Sequence, residues 1–171
     1  MTDELLLKAR EAKNKLFADM QTITLSTLSK NNEPNSSYAP SFVDNDGNFY
    51  IYISSLSKHT LNLIDKPKLS AMIIEDESKA ENIFGRKRFT MSAEALLIDR
   101  DSDIWINIMA KMESKFGETI TFLKDMTDFH LFKIVPNEGL LVHGFARAFK
   151  FNGEKLSQVN YLNEKGHTQK K

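Results

Sequence analysis

"SSYAPSFVDNDGNFYIYIS", Ser36 to Ser54, is the stretch that decides the fold. Its second half, Phe49–Ser54, is aromatic and β-branched, a composition suited to a pleated, packed surface. Its first half, up to Val43, reads as another strand. Between them "DNDGN", Asp44–Asn48, is a hairpin turn in which Gly47 supplies a positive φ. Strands joined this tightly run antiparallel.

The same period of two continues upstream. In "QTITLSTLS", Gln21–Ser29, Ile23, Leu25 and Thr27 alternate with Thr22, Thr24 and Ser26, which predicts a half-buried strand. "KNNEPN", Lys30–Asn35, reads as a turn with Pro34 in the loop. Before it, Asp3 to about Asp19 has helical spacing, with Thr2 or Asp3 as cap and Leu5, Leu6, Ala9, Ala12, Leu16 and Phe17 on one side.

Downstream, Ser57 caps a short helix in "SKHTLNLIDKP" that stops before Pro67. "KLSAMIIED" is a strand, "ESKAENIF" one or two helical turns, and "RKRFTMSAEALLIDR" a long strand beginning at Arg86. "DSDIWINIMAKMESKFGE" is a helix begun by Asp101 or Ser102, with Ile104, Ile108, Met112 and Phe116 on one face and Gly117 at its end. "TITFLKDM" continues in a second short helix. "DFHLFKIVP" and "EGLLVHGFARAFKF" read as two strands around "PNEG". "NGEKLSQV" is a short helix or turn before a polar tail. Six or seven strands with short turns and helices at the edges predict one α+β domain over residues 1–171, mainly antiparallel β. Its centre is a barrel, with residues 1–19 as the N-terminal helix and 160–171 as the tail.

Composition narrows the function. Among 171 residues the 23 Lys and Arg balance the 23 Asp and Glu, so no global field recruits nucleic acid or an anionic membrane. The absence of cysteine removes disulfides, thiolate metal sites and cysteine nucleophiles. The N-terminus lacks secretory-signal character, and no apolar run approaches the roughly 18 residues of a membrane span. A cytoplasmic protein is expected. No HExxH, GxSxG, Walker or GxGxxG pattern occurs.

Two local clusters remain. In "GRKRFT", Arg86 and Arg88 share a face of an expected strand, with Lys87 opposite. Such a guanidinium pair suits a phosphate or propionate, although a solvated strand end also explains it. In "SSLSKHTLNL", Ser54, Ser55, Ser57, Lys58, His59 and Thr60 sit at a strand-to-helix junction, where either anion binding or plain capping accounts for them. His130 and His143 read as packing or hydrogen-bonding residues within strands. Asp128 reads as a turn or cap residue. His167 stands behind Gly166 in a tail that physics alone leaves ambiguous.

Several blocks together closely resemble the HugZ/HutZ heme-utilisation proteins of the pyridoxamine-phosphate-oxidase-like split-barrel superfamily. They are "SSYAPSFVDNDGNFYIYISSLSKHTLNL", "SAMIIEDES", "IFGRKRFT", "DFHLFKIVPNEGLLVHGFARAF" and the terminal "EKGH". The resemblance covers nearly the whole chain. It implies a homodimer of split β-barrels with peripheral helices and ligand sites in the dimer interface. It implies that His167 is the axial ligand of heme iron and that Asp128 hydrogen-bonds that imidazole across the interface, fixing the ring and strengthening its donation. Arg88 then lies near the heme, and His59 near the same pocket. The implied activity is heme degradation with O2 and an electron donor, yielding iron, CO and an open tetrapyrrole. Superfamily flavoproteins offer an alternative, FMN held by Lys87, Arg88, Ser54 and Thr60. A third reading is a non-catalytic heme carrier or storage dimer.

Overall fold

A computed structural model of the chain describes residues 2–144 and 147–162. Its elements are α1 (Thr2–Asp19), β1 (Thr22–Leu28), β2 (Pro34–Val43), β3 (Phe49–Ser54), α2 (Lys58–Asp65), β4 (Lys68–Ile74), β5 (Arg88–Ile98), α3 (Asp103–Phe116), α4 (Glu118–Lys124), β6 (Phe129–Val142), β7 (Ala148–Asn152) and β8 (Gln158–Tyr161). Strand order is β3-β2-β1-β4-β5-β6-β7-β8, and β3 also pairs with β6. That extra pairing closes six antiparallel strands into a barrel, which removes most free edges. The long β6 serves two neighbours along one edge. Its first half, Phe129–Ile134, pairs with β3, and its last residues, Gly139–Val142, pair with β7. The fork is the split of the barrel.

Alternation sorts the side chains into two cores. Ile23, Leu25, Phe49, Ile51, Phe89, Met91, Phe132 and Ile134 fill the barrel, and α1 covers one end through Ala9 and Phe17. The Phe17 ring meets Phe49 at 5.0 Å and Phe89 at 5.1 Å, both edge to face, the favoured aromatic geometry. Outside the barrel, Tyr50, Tyr52 and Leu131 pack under Trp105, Ile108, Met109, Met112 and Ile120 of α3 and α4. β3 is thus buried on both faces, which explains its unbroken apolar run.

Five expectations are corrected. Pro34 opens β2 opposite Leu28 instead of lying in the loop; a first strand position needs no ladder donor. α3 buries Trp105, Ile108, Met109 and Met112, while Ile104 is 55% exposed. The helix carries apolar residues on two stripes, and the indole, edge-on to Tyr52, fixes which one turns inward. "PNEG" is no turn. Pro136 pairs with Ala93 and Glu138 with Ser92, so Asn137 is the extra residue of a bulge inside one continuous strand. β5 begins at Arg88, so Arg86 lies before the strand. Eight strands form among the described residues, and Gln158–Tyr161, including the first two residues assigned to the tail, pair with β7 as β8.

Gly139 sits where β6 crosses the Phe89 ring. A Cβ there would lie 2.0 Å from Phe89 Cζ. We expect Gly139→Ala to lose about 1–3 kcal/mol, the cost of overpacking, and urea unfolding with an unchanged m-value checks it.

Candidate functional site

The β3–β6 ladder ends with Ser54 opposite Phe129. This register places the β3–α2 junction against the entry to β6. Ser54 Oγ donates to Asp128 Oδ2 at 2.5 Å, and the Leu56 amide donates to Ser54 Oγ at 3.0 Å. The Ser55 amide donates to the Asp128 carbonyl at 2.8 Å. Ser55 Oγ and His130 Nε2 lie 2.7 Å apart. Thr60 is fully buried, and its hydroxyl donates to the Ser54 carbonyl at 2.6 Å. Ser57 holds the N-cap position of α2 without a side-chain cap bond. His59, on the first helical turn, is half-buried, and desolvation pushes its imidazole below its ordinary pKa.

The basic cluster lies at the other end of β6. Arg88 pairs with Val142 and Ile74 in the ladders, and its Nη1 donates to the Arg86 carbonyl at 3.1 Å. Arg86 reaches Glu77 at 2.8 Å and the Glu75 carbonyl. The Lys87 amide donates to Glu75 Oε1 at 2.7 Å. Lys87 and His143 line a cleft of about 1080 Å³ under α1, with Leu16, Met20, Ile73 and Leu141 as its apolar floor. His143 Nδ1 is buried with no partner among the described residues. Burial first, then the charges of Lys87 and Arg147, push this imidazole below its ordinary pKa.

The structure thus brings Ser54, Asp128, His59 and Thr60 to one end of the barrel and Lys87 and Arg88 to the other. β6 connects the two ends, with a contour of roughly 40 Å at strand rise. His167 lies outside the described residues. The hydroxyls of Ser54 and Thr60 are both engaged within the chain. The Ser55–His130 pair went unrecognised in the sequence, since nothing local signals it before the β3–β6 register is known. Ser54–Asp128 and Ser55–His130 do not form a hydrolase triad, because the carboxylate is bonded to a serine and not to the imidazole. Among the described residues no cluster of three His, Asp or Glu side chains could hold a metal ion, and no helix is long and apolar enough to cross a membrane.

A family model described as pyridoxamine 5'-phosphate oxidase matches residues 9–143. The chain is 40% identical to heme oxygenase HutZ of Vibrio cholerae over 149 residues, 87% of this chain and 84% of that protein. It belongs to the pyridoxamine 5'-phosphate oxidase-like split barrels and, within them, to the HutZ-type proteins. The solved structure of Vibrio cholerae HutZ, there described as a heme storage protein, aligns with a TM-score of 0.69 at 37% identity, covering 72% of this chain and 87% of that one. Campylobacter jejuni ChuZ aligns with a TM-score of 0.84 at 30% identity, covering 94% of this chain and 65% of that one. The closed barrel with its forked β6 is therefore the split barrel that the sequence blocks imply.

The depressed imidazole of His143 has a measurable consequence. Folding holds its proton affinity below the ordinary value of 6.5, so the unfolded chain takes up the proton first, and stability is lost as pH falls from that value through the lower midpoint of the folded chain. In an NMR pH titration we expect Lys87→Ala to move the His143 midpoint upward. Because burial is the larger cause, the midpoint should stay below that of an exposed histidine.

Proposed function

We propose that this split barrel binds heme and degrades it oxidatively for iron utilisation, with His167 as the axial ligand and a second copy of the chain completing the site. Two findings support heme as ligand: the similarity to a protein described as a heme oxygenase, and a donor set that suits it. Asp128 has one oxygen on Ser54 and the other without a partner among the described residues. Arg88 and His59 are only partly buried.

Reach supports the second copy. The Leu162 amide is bonded to the Ala148 carbonyl at 2.9 Å. Ala148 pairs with Val142, which pairs with Arg88. At interstrand spacing, Leu162 therefore starts on the order of 10–15 Å from Arg88. His167 is five residues further on, a reach of roughly 17 Å. That span covers the Arg88 end of its own barrel and falls well short of Asp128 along β6. In this reading a bond between Asp128 and His167 would join two different subunits of a homodimer.

In this reading His167 would bind the iron, Asp128 of the second copy would accept its remaining ring N–H, and Arg88 would face the anionic groups. Bound heme would supply the redox-active iron, and O2 with an electron donor would be the co-reactants. The protein's own contribution is to fix the imidazole and orient the macrocycle. The family description also admits FMN, but Thr60 is buried and bonded to backbone, and Ser54 is held by Asp128, so neither hydroxyl is free for a phosphate.

A hemin titration tests the reading. We expect a Soret shift with the apoprotein that is reduced or relocated in His167→Ala, and loss of the Soret band with reductant in the presence of catalase. A protein purified yellow with no hemin response would establish the flavin alternative instead. Stable binding without turnover would identify a carrier.

A further inference from the structure

We propose that Ser54 is a positioning residue for the axial ligand, acting through Asp128; this rests on the heme reading given above. The Leu56 amide, 3.0 Å away, donates to Ser54 Oγ. With an acceptor lone pair so used, the hydroxyl proton is directed at Asp128 Oδ2, 2.5 Å away. The backbone is fixed on both sides of this bond. The Ser55 amide donates to the Asp128 carbonyl at 2.8 Å, and Ser54 pairs with Phe129 as the last rung of the β3–β6 ladder. The Ser54 carbonyl is itself held by the Thr60 hydroxyl at 2.6 Å, inside the protein. Ser54 therefore sets the carboxylate's orientation and occupies one of its oxygens, leaving Oδ1 as the acceptor for an imidazole N–H.

Charge-assisted hydrogen bonding sets the consequence. A carboxylate that already accepts a hydroxyl proton is a weaker acceptor for a second donor than one that does not. Ser54 moderates the pull of Asp128 on the imidazole, and through it the electron donation to iron. Removing the hydroxyl strengthens that pull.

The test is a double-mutant cycle read by resonance Raman spectroscopy of the ferrous heme-loaded protein, with the reduction potential as second readout. Ser54→Ala should bind hemin and shift the iron–imidazole band upward and the potential downward. Ser54→Thr, which keeps the hydroxyl, should restore the native values. In an Asp128→Asn background Ser54→Ala should change neither. Should Ser54→Ala not fold, Ser54→Cys carries the same expectation, because a thiol is only a weak donor. An unchanged band and potential in folded Ser54→Ala or Ser54→Cys would overturn the proposal, and so would an equal shift in the Asp128→Asn background. Loss of the heme reading itself would show differently: His167→Ala would then leave the band of the parent protein in place.

Discussion

The pairing of β3 with β6 is the constraint on which the rest depends. Without it the sheet is open, and the barrel residues Phe49, Ile51, Phe132 and Ile134 have no common interior. With it, Tyr50, Tyr52 and Leu131 are turned outward onto α3 and α4, so one register builds both cores. A slip of one residue would exchange the two faces. The same register carries Ser54 to Asp128 and Ser55 to His130, so the candidate site is a direct product of barrel closure.

Closure also sets the limits of what one subunit can do. β6 leaves the ring after its first half and continues as the partner of β7, which puts Asp128 and Arg88 at its two ends. Residues that the sequence groups into one site are thereby separated along a single strand. A ligand that uses both ends needs two copies of the barrel. The proposed dimer rests on the resemblance, which pairs Asp128 with His167, together with the length of β6, which keeps that pair apart in one chain.

The sequence made most of this fold legible because its signals are local. The Asp44–Asn48 turn, the alternation in β1, the Ser102 cap and the Gly117 stop are each read from a few neighbouring residues, and each stands in the structure. What escaped was decided by distant contacts. Pro136 and Gly139 look like a turn until β5 supplies the bulged partner and the Phe89 ring that requires a glycine. The inward stripe of α3 was settled by Tyr52, and β8 by an edge of β7. For the site, the residue types at the β3–α2 junction were visible, but their bonding was not. Thr60 proved to be a buried tie and Ser54 a partner of Asp128, roles that no spacing in the sequence encodes.

The split site can be tested without knowing its detailed geometry. A purified heterodimer of one His167→Ala chain and one Asp128→Ala chain contains one intact site if the two residues meet between subunits, and none if they meet within one. The account predicts that this heterodimer recovers the native heme spectrum at half the parental stoichiometry, while each variant homodimer lacks it. A heterodimer whose spectrum is only the sum of the two defective homodimers would contradict it.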